Sequence, residues 1–281
     1  MKLSQTRIAI VLAVLVFTAS GCGIVNRIRA KNELNEAARA YREGQFVQAE
    51  QYARRAFELD PDSKTALSFI ARTIHAQYRP GVQAPENIAK ANEAIQAYQR
   101  ILEKDLKNDE AYKAVAYLYG AIKEDDKLRA WIASRANDTS VPPEKRAEAY
   151  IVLASKDWDC SFKMTELPTN KVTTLAGTRA TVSYKKPKEQ KDFDAAQACV
   201  KRGLEEIETA IKLDPASESG WSYKTNLLLE ASKLAEMDGK MDQKTELDKQ
   251  RDIAQKRTNA LSEANQKKKE EANKATTPAK G

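Results

Sequence analysis

The chain has 281 residues, of which 42% are hydrophobic, 31% charged and 7% aromatic, so it carries enough apolar material for a folded core. Its formal net charge is +7, but the segment from Lys240 to Gly281 holds eleven Lys and Arg against seven Asp and Glu, so the remainder is nearly neutral and nucleic acid is not expected as a partner. With His75 as the single histidine, the composition argues against Ser-His-Asp and Cys-His catalysis and against His-rich zinc sites, and we expect no enzyme activity, cofactor or metal.

The N-terminal segment has the features of a secretory signal. Lys2 and Arg7 precede an unbroken apolar run over residues 8–17, after which small residues follow. That run is too short for a permanent membrane helix, which needs about 20 apolar residues, so residues 1–21 are predicted to be a signal peptide. The ending TASGC resembles the lipobox of bacterial lipoproteins. The resemblance implies cleavage before Cys22, acylation of Cys22 and a lipidated linker over residues 22–30.

The same resemblance implies a location. Gly23, where an aspartate would retain a lipoprotein at the inner membrane, matches lipoproteins that are sent to the outer membrane. We therefore expect a protein of the bacterial cell envelope, anchored by lipid, in the outer membrane and facing the periplasm. The alternative is an ordinary signal peptide with a chance cysteine at its end.

A repeated helical pattern follows the linker. The stretch ELNEAARAYREGQFVQAEQYARRAFELDPDS has small residues where two helices would approach closely, a glycine for the turn between them and a proline that ends the second helix. It resembles a tetratricopeptide repeat (TPR), and the matching positions are Ala37, Tyr41, Gly44, Phe46, Ala49, Ala56, Phe57, Leu59 and Pro61. Weaker copies begin near residues 64, 109, 144 and 219. The resemblance implies an all-α, TPR-like α-α superhelical solenoid with four to five repeats over residues 31–262.

Two insertions interrupt the repeats, near residues 78–88 and over 161–191. The second contains KVTTL and RATVSY around an Ala-Gly-Thr turn, which predicts a small β-hairpin. Cys160 and Cys199 flank this insertion, and because the signal directs the chain to an oxidising compartment, they are predicted to form a disulfide. The alternatives are two buried, reduced cysteines or a reactive thiol pair, although no C-x-x-C spacing supports the latter.

The C-terminal part is strongly charged. Leu247, Ala254 and Leu261 are spaced seven apart, which suits a capping helix with one solvated face or, alternatively, a coiled-coil partner. Residues 263–281 are predicted to be a charged, disordered tail.

The predicted function is binding, without catalysis. In the resembling family the first helices of the repeats line a groove that binds a protein or peptide, and the corresponding residues here are Tyr41, Arg72, His75, Lys113, Tyr117, Trp158 and Asn226. For each of these the alternative is a core or solvated residue. The leading hypothesis is a membrane-anchored scaffold or adaptor. The alternatives are an outer-membrane assembly or envelope-biogenesis lipoprotein, and a periplasmic binder of glycans or small ligands that would use Trp158 and Trp221.

Overall fold

A computed structural model describes the backbone of residues 3–176 and 179–276 and the side chains of residues 23–175 and 180–273. Within these residues the protein is all-α apart from one two-stranded antiparallel sheet, and the predicted fold class, a TPR-like helical solenoid with a small β-hairpin, is confirmed. The elements in chain order are α1 (Leu3–Arg42), α2 (Phe46–Leu59), α3 (Lys64–Gln77), α4 (Pro85–Lys104), α5 (Asp109–Ala121), α6 (Asp125–Asn137), α7 (Pro143–Thr165), β1 (Lys171–Ala176), β2 (Arg179–Tyr184), α8 (Gln190–Leu213), α9 (Glu218–Met237) and α10 (Met241–Thr276).

The chain divides into two compact units, an N-terminal unit (Met1–Leu128) and a C-terminal unit (Arg129–Gly281), where the sequence predicted one repeat domain. In the N-terminal unit α1 packs on α2, α2 on α3, α3 on α4 and α4 on α5. In the C-terminal unit α7 packs on α8, α8 on α9 and α9 on α10. Packing between helices that are adjacent in the chain is expected of stacked helix pairs, because a single pair cannot bury its apolar face alone.

The turns inside three helix pairs share one backbone conformation. Gly44 (φ 76°) and Gly239 (φ 73°) occupy the left-handed region that favours glycine, and Lys123 (φ 61°) occupies it after α5. In each turn the next residue donates its N–H to a carbonyl five positions back, as Gln45 does to Ala40 at 2.9 Å. This is the Schellman arrangement that ends a helix. The third repeat therefore makes the same turn although it lacks the glycine.

The junctions between pairs also repeat. At each of three junctions an Asp carbonyl accepts the N–H of the residue three positions on, and the Ser or Asn at that position caps the next helix by accepting a backbone N–H. The three pairs are Asp60 with Ser63, Asp105 with Asn108, and Asp214 with Ser217. Fixed caps at both ends of the short connections make consecutive helices fold back on one another.

Small residues let the first two helices approach closely, as the sequence predicted. Ala37, Ala49 and Ala56 are all fully buried, and so is Ala53, which stands where the family usually has an aromatic residue. Ala30, Ala56 and Ala66 form the contact of α1, α2 and α3, and Phe57 packs against them. An alanine-lined seam of this kind allows close packing between helices with little side-chain entropy to lose.

Three boundaries differ from the sequence prediction. Residues 22–30 continue α1 without a break, so they form helix where a linker was expected. The second insertion is shorter than 161–191, because α7 continues to Thr165 and α8 begins at Gln190. Residues 263–276, assigned to a disordered tail, extend α10. The side chain of Cys22, whose acylation the lipobox implies, lies outside the described residues.

The predicted hairpin is present, with Lys171 opposite Tyr184 and Ala176 opposite Arg179; residues 177 and 178 lie outside the described part. A lone two-stranded hairpin is marginal in water. Its base is held by ionic and polar contacts: Lys171 pairs with Glu166, and the Tyr184 backbone N–H donates to Glu236 Oε1 of α9 at 2.9 Å. These contacts join the hairpin to α7 and α9.

The disulfide between Cys160 and Cys199 is present, with 6.2 Å between the two Cα atoms. Both residues are helical, so the bond joins α7 directly to α8 and encloses the hairpin in its loop. The sequence separation of 39 corresponds to about 4 kcal/mol of lost chain entropy in the unfolded state.

Candidate functional site: an aromatic and basic cleft

A cleft of about 480 Å³ opens in the N-terminal unit where four helices converge. The residues that line it come from α1, α3, the loop after α3, α4 and α5: Tyr41, Arg72, His75, Ala76, Tyr78, Pro80, Tyr98, Glu110 and Ala114. The first helices of three successive pairs thus contribute to one cavity. We call this cavity the tyrosine cleft.

Arg72 supplies the positive charge of the tyrosine cleft. Its guanidinium lies 5.9 Å from the centroid of the Tyr41 ring, a cation–π arrangement that orients the side chain. The residue is exposed and, within the described part of the chain, it has no ion-pair partner. Glu110 lines the same cleft from α5 and is exposed as well. The cleft therefore offers one free cation and one carboxylate to a ligand.

His75 and Tyr98 form the polar centre of the cleft. The Nδ1 atom of His75 lies 3.2 Å from the Tyr98 hydroxyl, and the Tyr117 ring lies 5.7 Å from the imidazole on the α5 side. Burial lowers the pKa of His75, so the imidazole is neutral at pH 7. Burial and the nearby Glu110 carboxylate raise the pKa of Tyr98 to about 12, so the phenol stays protonated. Both groups act as hydrogen-bonding groups without net charge.

Tyr78 has an unsatisfied hydroxyl. The residue is only 5% exposed, and its hydroxyl has no hydrogen-bond partner within the described residues. Burial of an unpaired hydroxyl costs about 1–3 kcal/mol, so the Tyr78 side chain lowers the stability of the cleft wall that it forms.

The loop that carries Tyr78 is held by one buried side chain. Asn87, 4% exposed, accepts the Arg79 N–H at 2.8 Å and donates to the carbonyls of Arg79 and Val82 at 2.8 and 2.7 Å. These bonds close residues 79–87 into a compact loop at the start of α4, and they place Tyr78 and Pro80 against the cleft. The first insertion is therefore part of the candidate site.

Five of the seven residues predicted for a groove belong to the N-terminal unit. Tyr41, Arg72 and His75 line the tyrosine cleft, and Tyr117 adjoins it through His75. Lys113 lies on the same helix but pairs with Asp109 at 2.7 Å and is not among the lining residues.

Trp158 and Asn226 belong to the C-terminal unit. Trp158 packs against the core of α7, α8 and α9, and so does Trp221. The Trp158 ring lies 4.8 Å from that of Phe162. The two tryptophans that a glycan site would use are therefore half-buried against that core, and Asn226 is half-buried on α9.

The sequence alone did not single out four residues that line the cleft or hold its loop in place: Tyr78, Tyr98, Glu110 and Asn87. Tyr98 lies on α4, and only the packing of α4 on α3 and α5 shows that it reaches the cleft. Tyr78 and Asn87 lie in the first insertion. A tyrosine and an asparagine inside an insertion that contains Pro and Gly could have suggested a structured loop.

A second hollow of about 270 Å³ lies between α2, α3 and α4, floored by Phe57, Leu67 and Ile70. On its rim, Arg54 forms ion pairs with Glu50 and Glu93, and Lys104 donates a hydrogen bond to the Pro61 carbonyl. Glu58, Arg100 and Glu103 also line this hollow. We assign the candidate site to the tyrosine cleft because that cavity is the larger of the two and combines aromatic walls with Arg72, His75 and Glu110.

A buried ionic cluster ties α6, α7 and α8 together in the C-terminal unit. Asp157, 2% exposed, accepts from Arg129 at 3.0 Å and from Arg202 at 2.8 Å. Arg129 also binds Glu206 at 2.6 Å. Burial raises the pKa of Glu206 to about 7, and the Asp157 carboxylate adds to the rise although Arg129 opposes it.

Among the described residues, no group of three or more His, Cys, Asp or Glu side chains is arranged to hold a metal ion. The described helices also include none with a stretch that is both long and apolar enough to span a bilayer.

The fold and the cleft define a helical-repeat protein with one aromatic, partly charged cavity in its N-terminal unit. No protein-family model matches the chain, and no curated protein matches it. Solved structures that resemble it include MamA of Desulfovibrio magneticus, with 14% identity, 79% of this chain and 94% of that chain covered, and a TM-score of 0.36. PilF of Pseudomonas aeruginosa is 14% identical, the match covers 80% of this chain and 91% of that chain, and the TM-score is 0.36. A tetratricopeptide repeat protein of Parabacteroides merdae is 12% identical, the match covers 83% of this chain and 99% of that chain, and the TM-score is 0.34.

Proposed function

We propose that this protein is a non-enzymatic scaffold of the bacterial envelope, anchored through acylated Cys22 and facing the periplasm, that binds a segment of a partner protein in the tyrosine cleft. The lipobox-like TASGC supports the anchor. The observation that carries the binding function is one cavity that combines the exposed Arg72 guanidinium, without an ion-pair partner among the described residues, with the Glu110 carboxylate and the Tyr41 ring.

The chemistry of the cleft favours a peptide segment. Arg72 fits a carboxylate, Glu110 fits an N–H or a cation, and the partly exposed Tyr41 offers ring surface in the same cavity. An extended protein segment presents acidic, N–H and apolar groups within a short distance of one another. Tyr and Arg are also enriched at the centres of protein interfaces. A glycan site is less favoured, because Trp158 and Trp221 pack against the core.

The binding test uses two charge-matched variants. A photo-crosslinking amino acid at Tyr117, which is 51% exposed beside the cleft, captures the partner in the envelope for identification. The affinity of the purified partner is then measured for the native protein, Arg72→Gln and Lys113→Gln. Loss of a charge-assisted hydrogen bond should weaken binding about 10- to 100-fold in Arg72→Gln, whereas Lys113→Gln should bind within about twofold.

Two results would contradict the proposal. Equal effects of the two substitutions would place binding outside the cleft, and an N-terminal peptide in which Cys22 carries no acyl mass would remove the anchor. Circular dichroism of both variants provides the control for folding, since each replaced side chain is exposed.

A further inference from the structure

Three large apolar side chains are exposed on the part of α1 that directly follows Cys22. Ile24, Val25 and Ile28 are 63%, 46% and 59% exposed. At about 100° per helical residue, they fall within an arc of about 100°. The face of α1 that packs on α2 and α3, with Ala30, Leu34 and Ala37, lies on the opposite side of the helix. The exposed apolar face is therefore separate from the core.

Basic side chains flank this face. Arg27, Arg29 and Lys31 are exposed, and the sequence has no acidic residue between Cys22 and Glu33. By the helical angle, Arg27 and Lys31 lie at one border of the apolar arc and Arg29 at the other. An apolar stripe with basic residues on both sides is typical of helices that lie in the headgroup region of anionic membranes.

The apolar character ends after two turns. The same side of α1 continues with Asn32, Asn35 and Arg39, all exposed and polar. With a rise of about 1.5 Å per residue, Ile24 and Ile28 lie about 3 and 9 Å along the helix from Cys22. The apolar face is therefore confined to the two turns of α1 next to Cys22, where an anchor would hold the helix at the membrane surface.

We propose that residues 23–31 dock on an anionic lipid surface, with Ile24, Val25 and Ile28 inserted among the acyl chains and the three basic residues in contact with lipid phosphates. This inference depends on the acylation of Cys22 in the proposed function. Because residues 22–30 are helical and continuous with the rest of α1, docking would fix the direction in which the N-terminal unit leaves the membrane.

A membrane explains the face better than a protein partner does. The acyl chains on Cys22 would bring this segment to the bilayer whatever else it binds, and the positive charge complements anionic lipid. A second copy of the chain is disfavoured, because Arg27, Arg29 and Lys31 of two copies would repel one another.

Depth-dependent fluorescence quenching tests the proposal on the full-length, acylated protein. With Cys22 acylated and Cys160 bonded to Cys199, an added cysteine is the only free thiol for an environment-sensitive dye. Ile28→Cys and Asn35→Cys are labelled and reconstituted into vesicles of phosphatidylethanolamine and phosphatidylglycerol that contain acyl-chain nitroxide quenchers. We expect blue-shifted, quenched emission at position 28 and water-like, unquenched emission at position 35.

The charge dependence is a second readout. Replacement of phosphatidylglycerol by phosphatidylcholine, or the combined change Arg27→Gln, Arg29→Gln and Lys31→Gln, should lower the ratio of quenched to water-exposed dye at position 28. Each basic residue near an anionic surface contributes about a fivefold change in that ratio.

The outcomes are distinguishable. Water-like emission at position 28 on protein that mass spectrometry shows to be acylated would overturn the docking and leave the anchor in place. Unmodified Cys22 would overturn both. Emission at position 28 that depends on the protein-to-lipid ratio and is unaffected by the nitroxide would assign the face to a second copy and also overturn the docking.

Discussion

Lys233 offers the sharpest test of how the C-terminal unit is held together. Its ammonium lies 2.6 Å from Glu230 Oε1 and 2.8 Å from Glu166 Oε1. Glu230 is fully buried, and its second oxygen accepts from Ser161 at 3.0 Å and Thr165 at 2.8 Å. The change Lys233→Met keeps an unbranched side chain that is one atom shorter and removes the only cation that pairs with Glu230 among the described residues.

The expected cost follows from what remains in the core. Glu230 would keep its two hydroxyl donors but lose its counter-charge, and an uncompensated buried charge typically costs about 3–5 kcal/mol. Glu166 would lose less, because it keeps Lys171 and is partly exposed. We therefore expect Lys233→Met to lower the free energy of unfolding of the C-terminal unit by about 3 kcal/mol.

A double-mutant cycle separates the buried charge from the packing of the lysine chain. Lys233→Met combined with Glu230→Gln removes both charges and keeps an acceptor for the Ser161 and Thr165 hydroxyls. We expect the double variant to regain about 2 kcal/mol relative to Lys233→Met alone. Lys249→Met is the control, because Lys249 is 69% exposed, and it should change stability by less than about 0.5 kcal/mol.

The assay is urea unfolding followed by tryptophan fluorescence. All three tryptophans, Trp131, Trp158 and Trp221, belong to the C-terminal unit, so the signal reports that unit. If Lys233→Met costs less than about 1 kcal/mol, or if the double variant loses the sum of the two single losses, the reasoning about a buried uncompensated charge is wrong.

Three further predictions concern a proton, a turn and the disulfide. Because the pKa of Glu206 is raised from 4.5 to about 7, the folded state keeps a proton that the unfolded state releases, so stability should fall as the pH rises through that window and level off above it. Urea unfolding at pH 5 and 8 should show this loss in the native protein and a smaller one in Glu206→Gln. Lys123→Gly relieves a left-handed residue and should raise the unfolding free energy of the N-terminal unit by about 1 kcal/mol, measured by circular dichroism; a decrease would contradict the turn geometry. Joint replacement of Cys160 and Cys199 by Ala should lower the stability of the C-terminal unit by about 4 kcal/mol, and a loss below about 1 kcal/mol would contradict the chain-entropy argument.

The repeat pattern predicted the helices well because its signals are local. Ala37, Ala49 and Ala56 are buried, Gly44 makes the left-handed turn, and the hairpin strands occur where the sequence is rich in β-branched residues. Each of these features depends on residues a few positions apart, so it can be predicted from the sequence alone. The Cys160–Cys199 disulfide was also predictable, from the pairing of the two cysteines that remain after the lipobox.

The polar clusters and the cleft were decided by tertiary structure. Glu230 and Asp157 read as surface charges in a helix, and only the packing of α7, α8 and α9 shows that they are buried and paired. Tyr78 and Tyr98 reach one cavity from different elements, and only the packing of α7, α8 and α9 shows that Trp158 is half-buried against their core. Helical periodicity tells which residues share a face, but the neighbour that each face meets depends on contacts distant in sequence, and those contacts determine burial, ionisation and the shape of the site.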